Sequence, residues 1–311
     1  MPTHVVIGAG PVGSAVARLL AASGERVRVI TRGGSGPDLP GVERVAADAT
    51  DADRLSGLTA GAATVFHCAM PPYDRWPELF PPLSEAVLAA AASAGARYLL
   101  LGNVYGYGPV DGPLTEDLPL AAVTRKGRVR AAMWREALAA HEAGRVLAAE
   151  VRGSDYLGRG AGSLFNLTVA PAVLAGEPAA YPADLDAPHA WTYTGDAAAT
   201  LVAVARAGEG AFGRAWHVPS ASDLPARELT ARLAGVSGAP APRLRAMPEE
   251  ELERLGATDS VIAELPEMAY LYRRPLEVDA GAAERELGVG ATPLERVLEE
   301  TAAGHREAAA R

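Results

Sequence analysis

Cysteine is almost absent from this chain of 311 residues; Cys68 is the only one. A single thiol can neither close an intramolecular disulfide nor supply a multi-cysteine metal site, so no metal is expected. The same scarcity fits a reducing, cytoplasmic setting. Basic charge is also short. Lys and Arg number 29 against 38 Asp and Glu, a net charge of −9. Nucleic-acid binders and proteins of anionic membranes need a basic footprint, and this balance argues against both. Long hydrophobic runs are missing too. The longest small-apolar stretch, Ala86 to Ala96, is broken by Ser93 and Gly95. It falls well short of the ~20 residues that span a bilayer. The start, Met1-Pro2-Thr3-His4, has neither the basic region nor the cleavage site of a signal peptide. No repeat with a period of roughly 20 to 50 residues is visible.

What remains is a globular composition, 49% hydrophobic and 22% charged. The length suits one large α/β domain or two intimate lobes. Short β-branched runs alternate with Ala/Leu-rich helical ones. Strands are expected at 5–7, 26–30, 43–46, 64–67, 97–101 and 145–151. Helices are expected at 12–22, 83–94 and from about 125 to 142. Such alternation needs crossover connections, hence a doubly wound parallel sheet covered on both faces. After Val151 the rhythm changes. Residues 153–162 read as loop, prolines punctuate 171–188, and Asp196 reads as the N-cap of a helix to 205. Trp216 to Val218 reads as one more strand. The expected organisation is a dinucleotide-binding domain over 1–151, to which 190–220 returns, and a smaller substrate lobe over 152–311.

Gly8-Ala9-Gly10-Pro11-Val12-Gly13 fits G-x-G-x-x-G between a predicted strand and a predicted helix. Gly8 permits a tight turn, Gly10 admits a diphosphate to the backbone, and Gly13 allows close helix–sheet packing. Pro11 and Val12 open the helix whose N-terminus faces the phosphates. The second strand ends in Ile30-Thr31-Arg32, without the acid that holds NAD ribose hydroxyls. Arg32 suits a 2′-phosphate, so NADP is the first choice of cofactor and NAD the second. Asp48 is read either as an acceptor for the adenine amino group or, like Asp51, as a helix N-cap. Small Ala69, at the end of the fourth strand, leaves the cofactor a passage. Neighbouring His67 and Cys68 read as packing residues. The stiff aromatic loop Pro71 to Pro77 is either a wall over the cleft or packing against the second lobe.

The order of motifs resembles the extended and atypical short-chain dehydrogenase/reductase superfamily, in particular its NAD-dependent epimerase/dehydratase group. The resemblance rests on Gly8–Gly13, Gly102-Asn103-Val104-Tyr105-Gly106 and Gly112 to Asp117. Arg152 to Gly158, Trp191 to Asp196, Glu284 to Gly288 and Thr292 to Glu295 extend it over nearly the whole chain. It implies a Rossmann fold and a Tyr-x-x-x-Lys acid/base pair after the fifth strand. Here Lys126 stands at the tyrosine position and Arg130 at the lysine position. Gly102-Asn103 replaces the usual Ser or Thr. Lys126 lies in a cationic run with Arg125 and Arg128. It is either an acid/base with a depressed pKa or a basic turn balanced by phosphate, Glu116 or Asp117. Tyr105, with Tyr107 behind it, is the alternative acid, and Asn103 a polariser of a carbonyl. Tyr105 also reads as a structural ring closing the loop over the cofactor. Asp155 faces the substrate or forms an Asx turn.

The function implied is an NAD(P)-dependent epimerase/dehydratase-like oxidoreductase. Its substrate is expected to be a small polar, sugar-like or carbonyl metabolite. The broken pair supports an alternative, a cofactor-binding protein without redox turnover. The expected partners are a small-molecule substrate and, as a candidate, a second copy in a homodimer, with no nucleic acid and no membrane.

Overall fold

A computed structural model describes residues 3–310. Met1 and Pro2, part of the start searched for a signal peptide, lie outside them. The strands β1 (Thr3–Ile7), β2 (Arg26–Thr31), β3 (Val42–Ala46), β4 (Ala62–His67), β5 (Arg97–Asn103) and β6 (Ala148–Gly153) pair in parallel. Most are buried on both faces, which is why they read as continuous apolar runs. Between them run α1 (Pro11–Ala22), α2 (Ala52–Thr59), α3 (Trp76–Ser93) and α4 (Arg125–Glu142). The C-terminal half adds β7 (Asp155–Leu157), α5 (Leu164–Thr168), α6 (Ala170–Leu174), β8 (Ala179–Tyr181), β9 (Trp191–Tyr193), α7 (Thr194–Arg206) and β10 (Ala215–His217). It finishes with β11 (Ser220–Ser222), α8 (Ala226–Ser237), β12 (Leu244–Ala246), α9 (Glu249–Gly256) and α10 (Leu294–Ala309).

The main sheet has the order β10-β6-β5-β4-β1-β2-β3. The order reverses between β1 and β4, and in a doubly wound sheet a crevice opens there at the carboxyl ends of the strands. One face is packed by α1 and α7 through Val12, Val16 and Leu20 against Ala197, Leu201 and Val204. The other is packed by α2, α3 and α4. The segment around 190–220 supplies α7 to this packing and sends β10 to the edge beside β6. The remaining C-terminal segments enclose a separate core around Phe165, Trp191, Leu229, Met268 and Leu298. Among the described residues no helix is long and apolar enough to cross a membrane.

Several boundaries differ from the sequence reading. Helix α2 was not expected, because only Leu55 and Thr59 are buried and the apolar stripe is faint. Asp51, not Asp48, caps it by accepting from the Arg54 N–H at 3.1 Å. Helix α3 starts at Trp76 rather than 83 and runs through Pro81 and Pro82. Interior prolines break helical hydrogen bonds. Here the burial of Trp76, Phe80 and Val87, about 2 kcal/mol per large side chain, offsets that cost. Strand β6 begins at 148 rather than 145, and β7 interrupts the expected loop. Asp196 is not an N-cap. It sits inside the first turn of α7 and accepts from Thr292, from N at 2.8 Å and from Oγ1 at 2.6 Å, tying the C-terminal segment to the sheet domain.

Candidate functional site

The turn after β1 is made for close backbone approach. Gly8 has φ +95°, and a Cβ there would lie 2.6 Å from the Ala69 Cα. A Cβ on Gly13 would lie 2.1 Å from the Gly8 carbonyl oxygen. Gly10 is the N-cap of α1, and the place its Cβ would occupy has nothing within 4 Å. Pro11 has no N–H to lose at the first helical position. No side chain caps this helix and no acid lies in its first turn, so the amides of Val12 and Gly13 are left to an external acceptor. Open space over Gly10, a tight turn and uncapped amides fit the diphosphate of a dinucleotide.

A cleft of about 440 Å³ leads from Gly8 and Gly10 past Thr31, Arg32 and Asp48 to Ala69 and Pro72. Arg32 is exposed at its rim. Thr31 turns inward to Ser35, with its Oγ1 3.1 Å from the Ser35 carbonyl. Asp48 holds an Asx turn, accepting from Thr50 N at 2.9 Å and Oγ1 at 2.8 Å. These bonds, and more weakly the charge of Arg32, hold its carboxyl below the usual range.

Beyond Ala69 the cleft continues into a chamber of about 190 Å³; Cys68, Ala69 and Met70 line both. Asn103, Tyr105 and Arg130 converge here, with Tyr73, Trp76, Asp155, Tyr156 and Tyr272. The Asn103 Oδ1 accepts from the Tyr105 N–H at 3.2 Å and so fixes the turn after β5. The Tyr105 hydroxyl is hydrogen-bonded to Tyr73, and enclosure, with Tyr73 and Asp155 nearby, pushes its pKa well above the ordinary phenol value. Arg130 lies between aromatic faces, 4.6 Å from Trp76 and 4.4 Å from Phe80. Its Nη1 donates to the Leu101 carbonyl at 3.2 Å, while its buried Nε has no partner among the described residues. Tyr156 points at the next carbonyl of β5, Gly102, at 3.4 Å. Asp155 is no Asx turn; it accepts from the Tyr272 hydroxyl at 3.1 Å and is bonded to His189 Nε2 at 3.0 Å. The proline loop is a wall: Pro71 and Pro72 face the cleft, Tyr73 and Trp76 the chamber.

Lys126 does not join this group. Its side chain is fully buried, and its ammonium is held by Glu264 and Glu267 beside the face of Tyr73, 4.6 Å from the ring centre. The expectation of a cationic field around it is therefore corrected. Two carboxylates from a segment some 140 residues away neutralise it, whereas Glu116 accepts from the His217 N–H and Asp117 from Thr115. Tyr107 also lies outside the chamber. It accepts from Arg152 Nη1 at 2.6 Å and meets His217 Nε2 at 2.6 Å, and Arg152 in turn donates to buried Glu150. At the end of β4, where its Nδ1 meets the Tyr98 hydroxyl at 2.9 Å, burial depresses the His67 imidazole to about 3, and the nearby Arg130 charge adds to this. Burial raises the Cys68 thiol to about 12, so it is no nucleophile.

Tyr156 sits in a segment that carries the family resemblance, yet nothing local signals that its hydroxyl reaches the Gly102 carbonyl. Tyr272, Val261 and Leu265 carried no signal, because nothing in a C-terminal helical stretch reveals which side chains return to a distant strand edge.

The family model described as the NAD dependent epimerase/dehydratase family matches residues 4–218. No curated protein matches the chain. Among solved structures, UDP-glucuronic acid 4-epimerase from Bacillus cereus, in complex with UDP-glucuronic acid and NAD, is similar in fold. It has 17% identity and a TM-score of 0.80, with 98% of this chain and 99% of that one covered. DesIV, a dTDP-glucose 4,6-dehydratase from Streptomyces venezuelae with NAD and TYD bound, has 23% identity and a TM-score of 0.74, covering 98% and 97%. WbmH from Bordetella bronchiseptica, in complex with NAD+, has 20% identity and a TM-score of 0.75, covering 99% of each. The glycine turn, the crevice at the reversal of strand order and the family match over most of the sheet domain agree: the chain belongs to the NAD dependent epimerase/dehydratase family.

Proposed function

We propose that this protein is an epimerase/dehydratase-like oxidoreductase that binds a nicotinamide dinucleotide in the cleft and acts on a small hydroxyl- or carbonyl-bearing metabolite in the chamber. One observation carries the reading. The backbone-built cradle opens directly onto a cluster of enclosed phenols, with Ala69 lining both spaces. The bound NAD of the similar structures supports the cofactor class. Gly8, Gly10 and the first turn Pro11-Val12-Gly13 would hold the diphosphate. Arg32 and Asp48 would face the adenosine end, and Ala69 would leave room for the nicotinamide half. Of the two cofactors we favour NADP, because the rim after β2 offers a free guanidinium and no carboxylate to ribose hydroxyls.

When bound, the nicotinamide exchanges a hydride with a substrate carbon. The rest falls to this chain. Tyr105 is the proton donor to the substrate oxygen, since its raised pKa keeps the phenol protonated at neutral pH. Asn103 has its oxygen engaged and so turns an amide donor toward that same oxygen. Arg130 lends its charge to a phenolate formed at Tyr105 or Tyr156. Lys126 is proposed to steady Tyr73, and through it Tyr105, rather than to move protons. In this scheme residues 1–151 with 190–220 form the dinucleotide unit and 152–311 chiefly the substrate lobe.

The test is calorimetric titration of the purified protein with NADP+, NADPH, NAD+ and NADH. The near-ultraviolet absorbance of the reduced nicotinamide is then followed with a panel of alcohols and carbonyls. Binding heat and an absorbance change with at least one compound are expected. Absence of any heat, with no nucleotide carried through purification, sinks the reading. Heat without any absorbance change would replace it with nucleotide binding devoid of redox turnover.

A further inference from the structure

The chamber's size and chemistry bear on what it can hold. A diphosphate-linked sugar must bring about two negative charges, and proteins meet them with several cations or free backbone amides. Among the described residues, Arg130 is the only cation in the chamber's walls. It is already sandwiched between Trp76 and Phe80 and bonded to a backbone carbonyl. The cations nearest the far wall, Arg125 and Lys126, are taken by Glu264 and Glu267. Arg159, the first cation after β7, is paired with Glu307. The chamber's one carboxylate, Asp155, would repel an anion and is itself satisfied by Tyr272 and His189.

Volume points the same way. About 190 Å³ is below the ~300 Å³ at which pockets for drug-sized ligands begin. The nicotinamide end of a dinucleotide would use part of it. The mouth is apolar: Met70 and Leu167 are 62% and 60% exposed there, with Leu265 on the lobe side. Large aliphatic side chains left in water around an aromatic-lined cavity mark a surface for an apolar ligand.

Building on the oxidoreductase reading, we infer that the substrate is a small, uncharged carbonyl compound or alcohol with an aryl or alkyl end, not a nucleotide-linked sugar. The carbonyl oxygen faces the phenols and the apolar end lies against Met70, Leu167 and Leu265. In the reductive direction the carbonyl carbon gains a hydride from the reduced nicotinamide and the oxygen gains one proton from a phenol. The products are the alcohol and oxidised nicotinamide, and solvent returns the proton.

The test uses the full-length protein saturated with NADP+, or NAD+ if that binds tighter. Calorimetry and tryptophan fluorescence quenching would follow acetophenone, propiophenone and butyrophenone, against UDP-glucose and UDP. Affinity should rise about fourfold for each added methylene, as expected for apolar burial. UDP-glucose and UDP should give no saturable signal up to the highest concentration used for the ketones. Leu167→Asp, a change at an exposed position, should weaken butyrophenone about tenfold while the dinucleotide binds as before. Tighter binding of UDP-glucose or UDP than of the ketones overturns the inference. So does binding of none of the three ketones, or indifference of butyrophenone to Leu167→Asp. Each of these results leaves the oxidoreductase reading in place, because that reading fails only when no dinucleotide binds or when no compound of the wider panel changes the nicotinamide absorbance.

Discussion

The two halves of the site are built by different means. The dinucleotide cleft is made of backbone: glycines, a helix start and the ends of adjacent strands, most of it within the first 72 residues. The chamber is made of side chains from the loop after β4, from α3, β5 and the turn after it, α4, β7, α5 and the stretch 261–272. Local geometry fixes the cleft as soon as β1 and α1 pack. The chamber exists only once the stretches 154–167 and 261–272 pack beside β5 and α4. The first should tolerate surface changes and fail on a methyl group. The second should fail on charge.

The largest expected effect falls at His67, buried at the end of β4. His67 takes up a proton far less readily in the folded chain than its ordinary value of 6.5 allows. The unfolded chain therefore binds more protons below that value. The contribution of His67 to stability is complete above about pH 6.5 and is lost as pH falls toward about 3. The limit is roughly 5 kcal/mol at about 1.4 kcal/mol per unit. Urea unfolding between neutral pH and pH 4 should show this slope, and His67→Gln should flatten it. An unchanged slope in the variant would refute the assignment.

Next comes the chamber's outer support. Lys126→Met keeps most of the volume but removes the buried cation between Glu264 and Glu267, leaving Glu264 only the exposed Arg125 at 3.4 Å. The expected loss is about 3 kcal/mol by chemical denaturation, with dinucleotide binding retained. Loss of dinucleotide binding without loss of stability would move Lys126 back into the site. The cleft is tested by Gly10→Ala. Its Cβ meets nothing in the protein, so Tm should hold within experimental error, while dinucleotide affinity should fall about tenfold or more. A variant with unaltered affinity would mean that nothing approaches this turn. Arg32→Ala should have the smallest effect, a fewfold to about tenfold loss of NADP+ affinity with NAD+ unaffected, read by calorimetry. Tighter NAD+ binding than NADP+ binding in the parent protein would settle the cofactor the other way.

These outcomes also trace how far the sequence could be read. The parallel sheet was visible in runs such as Val5–Ile7 and Thr64–His67, because strands buried on both faces need no partner information to look apolar. Gly8, Gly10 and Gly13 were legible because their roles are local. Lys126 was read in the company of its sequence neighbours Arg125 and Arg128, yet in space its company is Glu264 and Glu267. Helix α3 shows the same limit. The Ala/Leu-rich pattern places its start at 83, yet the helix runs back through Pro82 and Pro81 to Trp76, where Trp76 and Phe80 are buried. Asp196 looked like a cap because it opens a helical run, and it is a tie to Thr292 instead.

The chain's own pattern determined the doubly wound sheet and the glycine turn, since hydrophobic periodicity and backbone freedom act over a few residues. Only the tertiary structure decided which phenols share a chamber, which carboxylates silence Lys126 and where Arg130 points. Those depend on contacts between segments from 29 to 141 residues apart, whose electrostatics and burial are set by how distant stretches of the chain pack on the sheet.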